Sequence, residues 1–304
     1  MRALFGVGAL LLVACQPPRA APQEHPPTRA PLPAAQSAHD RPDGDELSSS
    51  TNAPHVPSAL PEQKPSCPDA MARVERPQGG FCIDRWESSL KRVTPTGQEW
   101  WPANRTLSEG ERELLAVSVA GRKPQGYLSG EQAERACRNA GKRLCEIDEW
   151  VRACRGPRGL PYPYGPVRRE GICNDRYRVL DDHPVVRLFE RFAPPGADPS
   201  TMWLPAWMND PRLYELPRSV APSGGHPQCQ SEEGVFDLVG NVHEWVADPE
   251  GTFVGGFFMD TFQNGEGCGY RTSAHASSYH DYSTGFRCCR ALVAETTPSA
   301  AAGR

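Results

Sequence analysis

The chain has 304 residues, 33 Lys and Arg against 37 Asp and Glu, and a formal net charge of -4. That balance, with no Lys/Arg block of five or more, argues against a nucleic-acid binder. Eleven cysteines and 32 prolines are the unusual features, and they point to an oxidising compartment and to long stretches without a core.

In chain order, Arg2 is followed by an apolar run from Ala3 to Ala14. It is too short to span a bilayer as a helix and suits a signal-peptide core. Leu12-Val13-Ala14-Cys15 closes it with small residues before a cysteine, the pattern at which a lipoprotein signal is cut and the thiol acylated. An ordinary secretory signal with an incidental cysteine is the plainer alternative. Each buried methylene of an acyl chain contributes about 0.8 kcal/mol, so an acylated Cys15 is expected to hold the chain on a membrane. The predicted address is therefore the bacterial cell envelope, either the outer side of the inner membrane or the outer membrane.

Residues 16–65 hold twelve prolines and no aromatic residue. Such a segment buries too little apolar surface to offset its ordering entropy and is expected to be a disordered tether, with a Pro-rich ligand as the functional alternative. One domain is predicted over 66–293, and 294–304 reads as a small polar tail.

Inside the domain, Gly79-Gly80 followed by Phe81-Cys82-Ile83-Asp84 reads as a turn and a strand. Ser129-Gly130-Glu131-Gln132 is a capping box that opens a helix ending before Gly141. A second short helix is expected from Glu146 to about Cys154, with acidic residues in its first turn and Gly156 after its end. From Pro161 to about Gly225 the periodicity fades, and little regular structure is expected.

Without Cys15, ten cysteines remain for the domain, an even number consistent with five bridges. A zinc reading is weak, because there is no C-x-x-C pair and Cys288 and Cys289 point apart in an extended strand. Cys67 and Cys82, fifteen apart around the Gly-Gly turn, are placed to close a local loop worth about 3 kcal/mol. His243-Glu244 lacks a histidine at 247 and so fails the H-E-x-x-H geometry. His275 and His280 read as solvated loop residues.

Four blocks carry a family resemblance. They are Gly141-Lys142-Arg143-Leu144 with Glu149-Trp150 and Ala153-Cys154-Arg155-Gly156, then Tyr162-Pro163-Tyr164-Gly165, then 235–245 with Gly240-Asn241-Val242-His243-Glu244-Trp245, and last Gly285-Phe286-Arg287-Cys288. In this order they resemble the sulfatase-modifying-factor, or formylglycine-generating-enzyme, family. The resemblance implies an α+β, C-type-lectin-like fold with much irregular chain, small antiparallel sheets and a few short helices. It implies a calcium loop in which Asp237 and Glu244 give side-chain oxygens and Gly240 and Val242 give carbonyls, oxygens of the kind a hard cation takes. Asn174 resembles a ligand of a second such site. The alternative is that Asp237 and Asn241 cap turns and Glu244 bonds backbone amides.

Active members of the family hold copper between two cysteines five apart, just after a Gly-Gly-Ser strand, because soft thiolates select Cu(I). Here the strand reads Phe253-Val254-Gly255-Gly256-Phe257-Phe258-Met259-Asp260: Phe257 stands at the serine and Asp260 at the first cysteine. Cys268 lies near the second position after an insertion, so it is the one candidate catalytic residue, and a two-thiolate copper site does not carry over. The resemblance implies a Cys137–Cys288 bridge. It places the partner of Cys154 at Thr272, leaving Cys173 or Cys289 as candidates, and Cys268 could instead pair with Cys229. Two functions follow: a non-enzymatic, calcium-braced module for a peptide or glycan, or a divergent oxygen-dependent oxidase acting on a cysteine or thiol through Cys268.

Overall fold

The computed structural model describes residues 66–292 except 109 and 177–182. The expected signal, lipidated Cys15, tether and tail lie outside the described residues. Three small sheets organise the domain. The first has the order β1 (Met71–Val74), β2 (Phe81–Asp84), β11 (Cys288–Ala291), β6 (Arg143–Leu144), and every pair in it is antiparallel. β2 is buried at all four positions because it has a neighbour on each side. The second runs β4 (Gly97–Trp100), β3 (Ser88–Thr94), β5 (Leu114–Ser118), also antiparallel.

The third sheet has the order β10 (Thr284–Phe286), β7 (His243–Trp245), β8 (Phe253–Val254), β9 (Arg271–Thr272). Its β7–β10 pair is parallel and sets Glu244 opposite Gly285. That register brings the acidic residue of one sequence block beside the block that holds Arg287.

α1 (Gly130–Asn139) starts where the capping box predicts: the Gln132 amide donates to the Ser129 hydroxyl, and Gln132 reaches back to the Ser129 amide. It buries Ala133, Ala136 and Cys137, small residues that let it lie close to its neighbours. α2 (Ile147–Arg155) buries Glu149, Trp150, Ala153 and Cys154 and ends at Gly156, whose φ of 63° a side chain would resist.

The stretch expected to lack regular structure contains α3 (Pro184–Phe192), α4 (Pro205–Met208) and two 3-10 turns over 199–203 and 211–215. Each of the four has a proline in its first turn, where the missing N–H is no loss. His183, Asp198 and Asp210 cap three of them by accepting a backbone N–H. Pro184, Pro199, Pro205 and Pro211 therefore start helical turns in a stretch where none was expected.

All ten cysteines of the described residues are paired, in five disulfides. Cys67–Cys82 and Cys137–Cys288 match expectation. The others are Cys145–Cys289, Cys154–Cys268 and Cys173–Cys229, which replace the partners considered for Cys154, Cys229 and Cys268. Consecutive Cys288 and Cys289 do point apart: one is tied to α1, the other to the chain just before α2.

Candidate functional site

The residues that carry the family resemblance bind one another. Trp150 Nε1 donates to Glu244 Oε2 at 2.7 Å. Arg287 holds both oxygens of Glu244, Nε to Oε2 and Nη2 to Oε1, at 2.6 Å each. Nη1 of Arg287 donates to the Asp84 carbonyl, and Nη2 donates also to that of Phe236. Arg143 grips Glu149 with two bonds of 2.7 Å, and Lys142 reaches both oxygens of Asp84 at 2.9 and 2.8 Å. Asp84 in turn accepts from the Cys288 amide. A planar guanidinium fits a carboxylate through two parallel bonds, which fixes orientation as well as distance. These blocks thus form a buried brace between α2, β7, β10 and β11.

Arg287 and Glu244 are both fully buried. Burial works against the Arg287 charge, and Glu244, Glu87 and Asp237 outweigh it, holding the guanidinium above its ordinary range. Glu87 also has no exposure; burial, then Asp237 and Glu244, push its carboxyl well above the usual carboxylate range. Its Oε2 accepts from Ser223 and Asn241, while Oε1 has no partner. Asp237 is raised to about 6 by burial, against the Gly224 amide that donates to it at 2.6 Å.

At the expected calcium loop the two carboxylates also have partners within the fold. Glu244 spends both oxygens on Arg287 and Trp150, and one Asp237 oxygen is taken by Gly224. Asn174 does meet the loop, but as a donor: its amide bonds Ser219 O and Asn241 Oδ1, and its carbonyl accepts from Asn241 N. Gly240 permits that approach, since a Cβ there would lie 2.1 Å from the Asn174 carbonyl oxygen. The carbonyls of Gly240 and Val242 remain as the other expected ligands. Among the described residues no group of three or more His, Cys, Asp or Glu could hold a metal.

Sequence reasoning placed Asp260 at the first copper-cysteine position. It is 4% exposed, accepts from the amides of Phe262 and Gln263 at 3.0 Å, and takes the Tyr270 hydroxyl at 3.2 Å. It therefore anchors the inserted loop. Cys268, the candidate nucleophile, is bonded to Cys154 and fully buried in a short 3-10 turn over 267–269. A sulfur in a disulfide is neither a thiolate nucleophile nor a copper ligand. The second family bridge of Cys154 is made at Cys268, not at the Thr272 position.

The sequence reading missed the aromatic surroundings of Phe257. Its ring lies 4.9 Å from His243, which also meets Phe253 at 4.5 Å and Tyr270 at 5.5 Å. No hydrogen bond is made by the His243 Nδ1 atom. Burial, with His275 adding to it, drops the His243 imidazole to about 3, so it is neutral at ordinary pH. His275 stacks on Tyr279 at 3.9 Å, and Tyr279, His280 and the exposed Trp203 line a cleft of about 220 Å³. Histidines set among aromatic residues of distant segments give no local sequence signal.

An α+β domain of small sheets, tied by five disulfides and a buried Glu–Arg brace, is the class this geometry defines. Residues 62–292 match the sulfatase-modifying factor enzyme 1-like domain, and the chain belongs to that family. A Bos taurus protein, "Inactive C-alpha-formylglycine-generating enzyme 2", is 26% identical over 160 residues, covering 52% of this chain and 42% of its own. The chain thus spans about two fifths of the length of that relative. Among solved structures, PvdO from Pseudomonas aeruginosa is 17% identical with a TM-score of 0.40, over 70% of this chain and 81% of its own. CarF is 14% identical with a TM-score of 0.40, over 71% and 88%.

Proposed function

We propose that this chain is an envelope-anchored lipoprotein whose domain keeps the family scaffold as a binding module for a peptide or glycan and does not carry out the family's copper-dependent oxidation. The observation that supports the second half is the Cys154–Cys268 disulfide together with the Asp260 cap. They remove both sulfurs from the place where the resemblance puts a thiolate pair. The cleft lined by Trp203, Tyr279 and His280 supports the first half, since ligand sites are concave, largely apolar and rich in aromatic rings. The bovine relative is also named as inactive.

The test is a Cu(I) titration of the purified oxidised chain with an oxygen electrode in parallel, after addition of a cysteine-containing peptide. The reading expects no stoichiometric copper at the domain and no oxygen uptake above buffer. Stoichiometric Cu(I) with peptide-dependent uptake overturns it. Anchoring is tested separately: Cys15→Ser moves the protein from the membrane fraction to the soluble one if Cys15 carries the lipid.

A further inference from the structure

We infer that the outward face of the β4–β3–β5 sheet docks on the surface of an anionic phospholipid bilayer, with Trp100 and the cations Lys91 and Arg122 at the contact. This goes beyond the reading of the domain as a binding module and rests on the reading of the chain as envelope-anchored. Cross-strand pairing sets Lys91 beside Trp100 and Leu115, and Val93 beside Gln98. With Val117, two residues along β5 from Leu115, these side chains share one face. The opposite face buries Leu90, Leu114 and Ala116.

That face departs from the pattern of a solvated one. An antiparallel sheet with its inner face on the core ordinarily shows polar side chains outside. Here Trp100 is 37% exposed and Val93 48%, with Leu115 and Val117 half-buried beside them. None of these outward side chains is acidic: Glu99 falls on the opposite face, and Glu111 is held by Ser108 beside Arg92 and Arg105. The Lys91 ammonium lies 4.5 Å and the Arg122 guanidinium 4.0 Å from the centre of the Trp100 ring. Neither cation is paired with a carboxylate among the described residues. β4, at the sheet edge, is exposed at all four positions, so nothing in the described domain covers this end of the face.

Charge and the course of the chain select the occupant. A tryptophan suits a boundary that is apolar on one side and wet on the other. Lysine and arginine beside it are drawn to anionic headgroups, while their aliphatic stems lie along the apolar side. The segment leading from Cys15 joins the domain at the base of this same sheet: Cys67 is tied to Cys82, and the Ala70 carbonyl lies 3.4 Å from the Ser118 hydroxyl of β5. Fifty residues, 16–65, separate Cys15 from the domain, and a chain of that length reaches at most about 170 Å when fully extended. An anchored domain therefore stays near the lipid, where a weak contact is enough to seat it. Two cations are screened by the salt of a cell extract, so the contact orients an anchored chain and does not replace the anchor.

The experiment mixes the full oxidised chain, as purified, with vesicles of equal parts brominated phosphatidylcholine and phosphatidylglycerol, in which bromine quenches only tryptophans that reach the lipid. Quenching is expected on these vesicles and is expected to fall about fivefold without phosphatidylglycerol or in added salt. Trp100→Phe is expected to remove most of it, and Lys91→Gln with Arg122→Gln to lower it about fivefold. Both variants are expected to keep the Tm, because none of the three side chains is buried. Equal quenching without the anionic lipid, or full quenching kept by either variant, overturns the inference. So does an absence of quenching, and binding of a soluble sulfated dextran in that case assigns the face to an anionic glycan. Acylation of Cys15 is read from the mass of the same protein: an unmodified Cys15 overturns the anchor, whereas the quenching reads the sheet face, so the two failures are distinguishable.

Discussion

Glu244 and Arg287 lie 43 residues apart in sequence and share two hydrogen bonds in the fold. Removing one partner of a buried pair leaves a charge without compensation and costs about 3–5 kcal/mol. Arg287→Met is expected to sit at the upper end, because Glu87 and Asp237 remain beside Glu244; Glu244→Leu combined with Arg287→Met recovers part of the loss. Urea unfolding of the oxidised variants measures both. Calcium on the Asp237–Glu244 loop is tested by EDTA: a clear drop in Tm on chelation supports the ion there, and an unchanged Tm removes it.

His243 gives a pH prediction at the same scale. Its folded pKa of about 3 lies below the ordinary 6.5, so the unfolded chain binds a proton that the folded one does not. The stability from keeping it neutral is complete above about pH 6.5 and is lost as pH falls toward 3. His243→Phe is expected to flatten the acid limb of a stability-against-pH curve over that window. The roles of these residues were only partly legible in the sequence. Two carboxylates flanking a Gly-Asn bend look alike whether a cation or a guanidinium answers them, and the answer comes from a residue on a parallel neighbouring strand.

Among elements, the two helices that frame the brace could be read from their caps and spacing, whereas α3 could not. Its nine residues bury Val185, Leu188 and Phe189 on one face, a period too short to stand out among charged neighbours, and Pro184 stands in its first turn. The Cys154–Cys268 link ties α2 to the turn after the insertion across 114 residues. Cys154→Ala with Cys268→Ala is expected to cost about 2–5 kcal/mol in thermal unfolding, through the longer loop freed in the unfolded chain. A loss of binding without a loss of stability would instead give the pair a functional role.

Gly240 shows the same dependence on distant chain. At a φ of 83°, with a Cβ that would press on the Asn174 carbonyl, Gly240→Ala is expected to separate the 174 and 240 loops and lower the Tm by several degrees.

For the whole molecule, the order of the sequence blocks announced the family and the α+β architecture, and the structure explains why those residues recur together: Glu149, Trp150, Glu244, Arg287 and Lys142 hold the sheets and α2 in register. They maintain a scaffold, and a scaffold alone does not specify an activity. What the domain does depends on Asp260, Phe257 and Cys268, where this chain departs from the pattern of active members. That Cys268 could be a bridge cysteine was legible in the sequence; its partner Cys154 was not, because the insertion before it hid which family cysteine it matches.

The measurement that bears most directly on that claim is a disulfide map of the non-reduced protein, alkylated under denaturing conditions, digested and read by mass spectrometry. The account predicts a Cys154–Cys268 linked peptide without label on either sulfur. An alkylated Cys268 in the native preparation would contradict it and restore a thiol where none is expected.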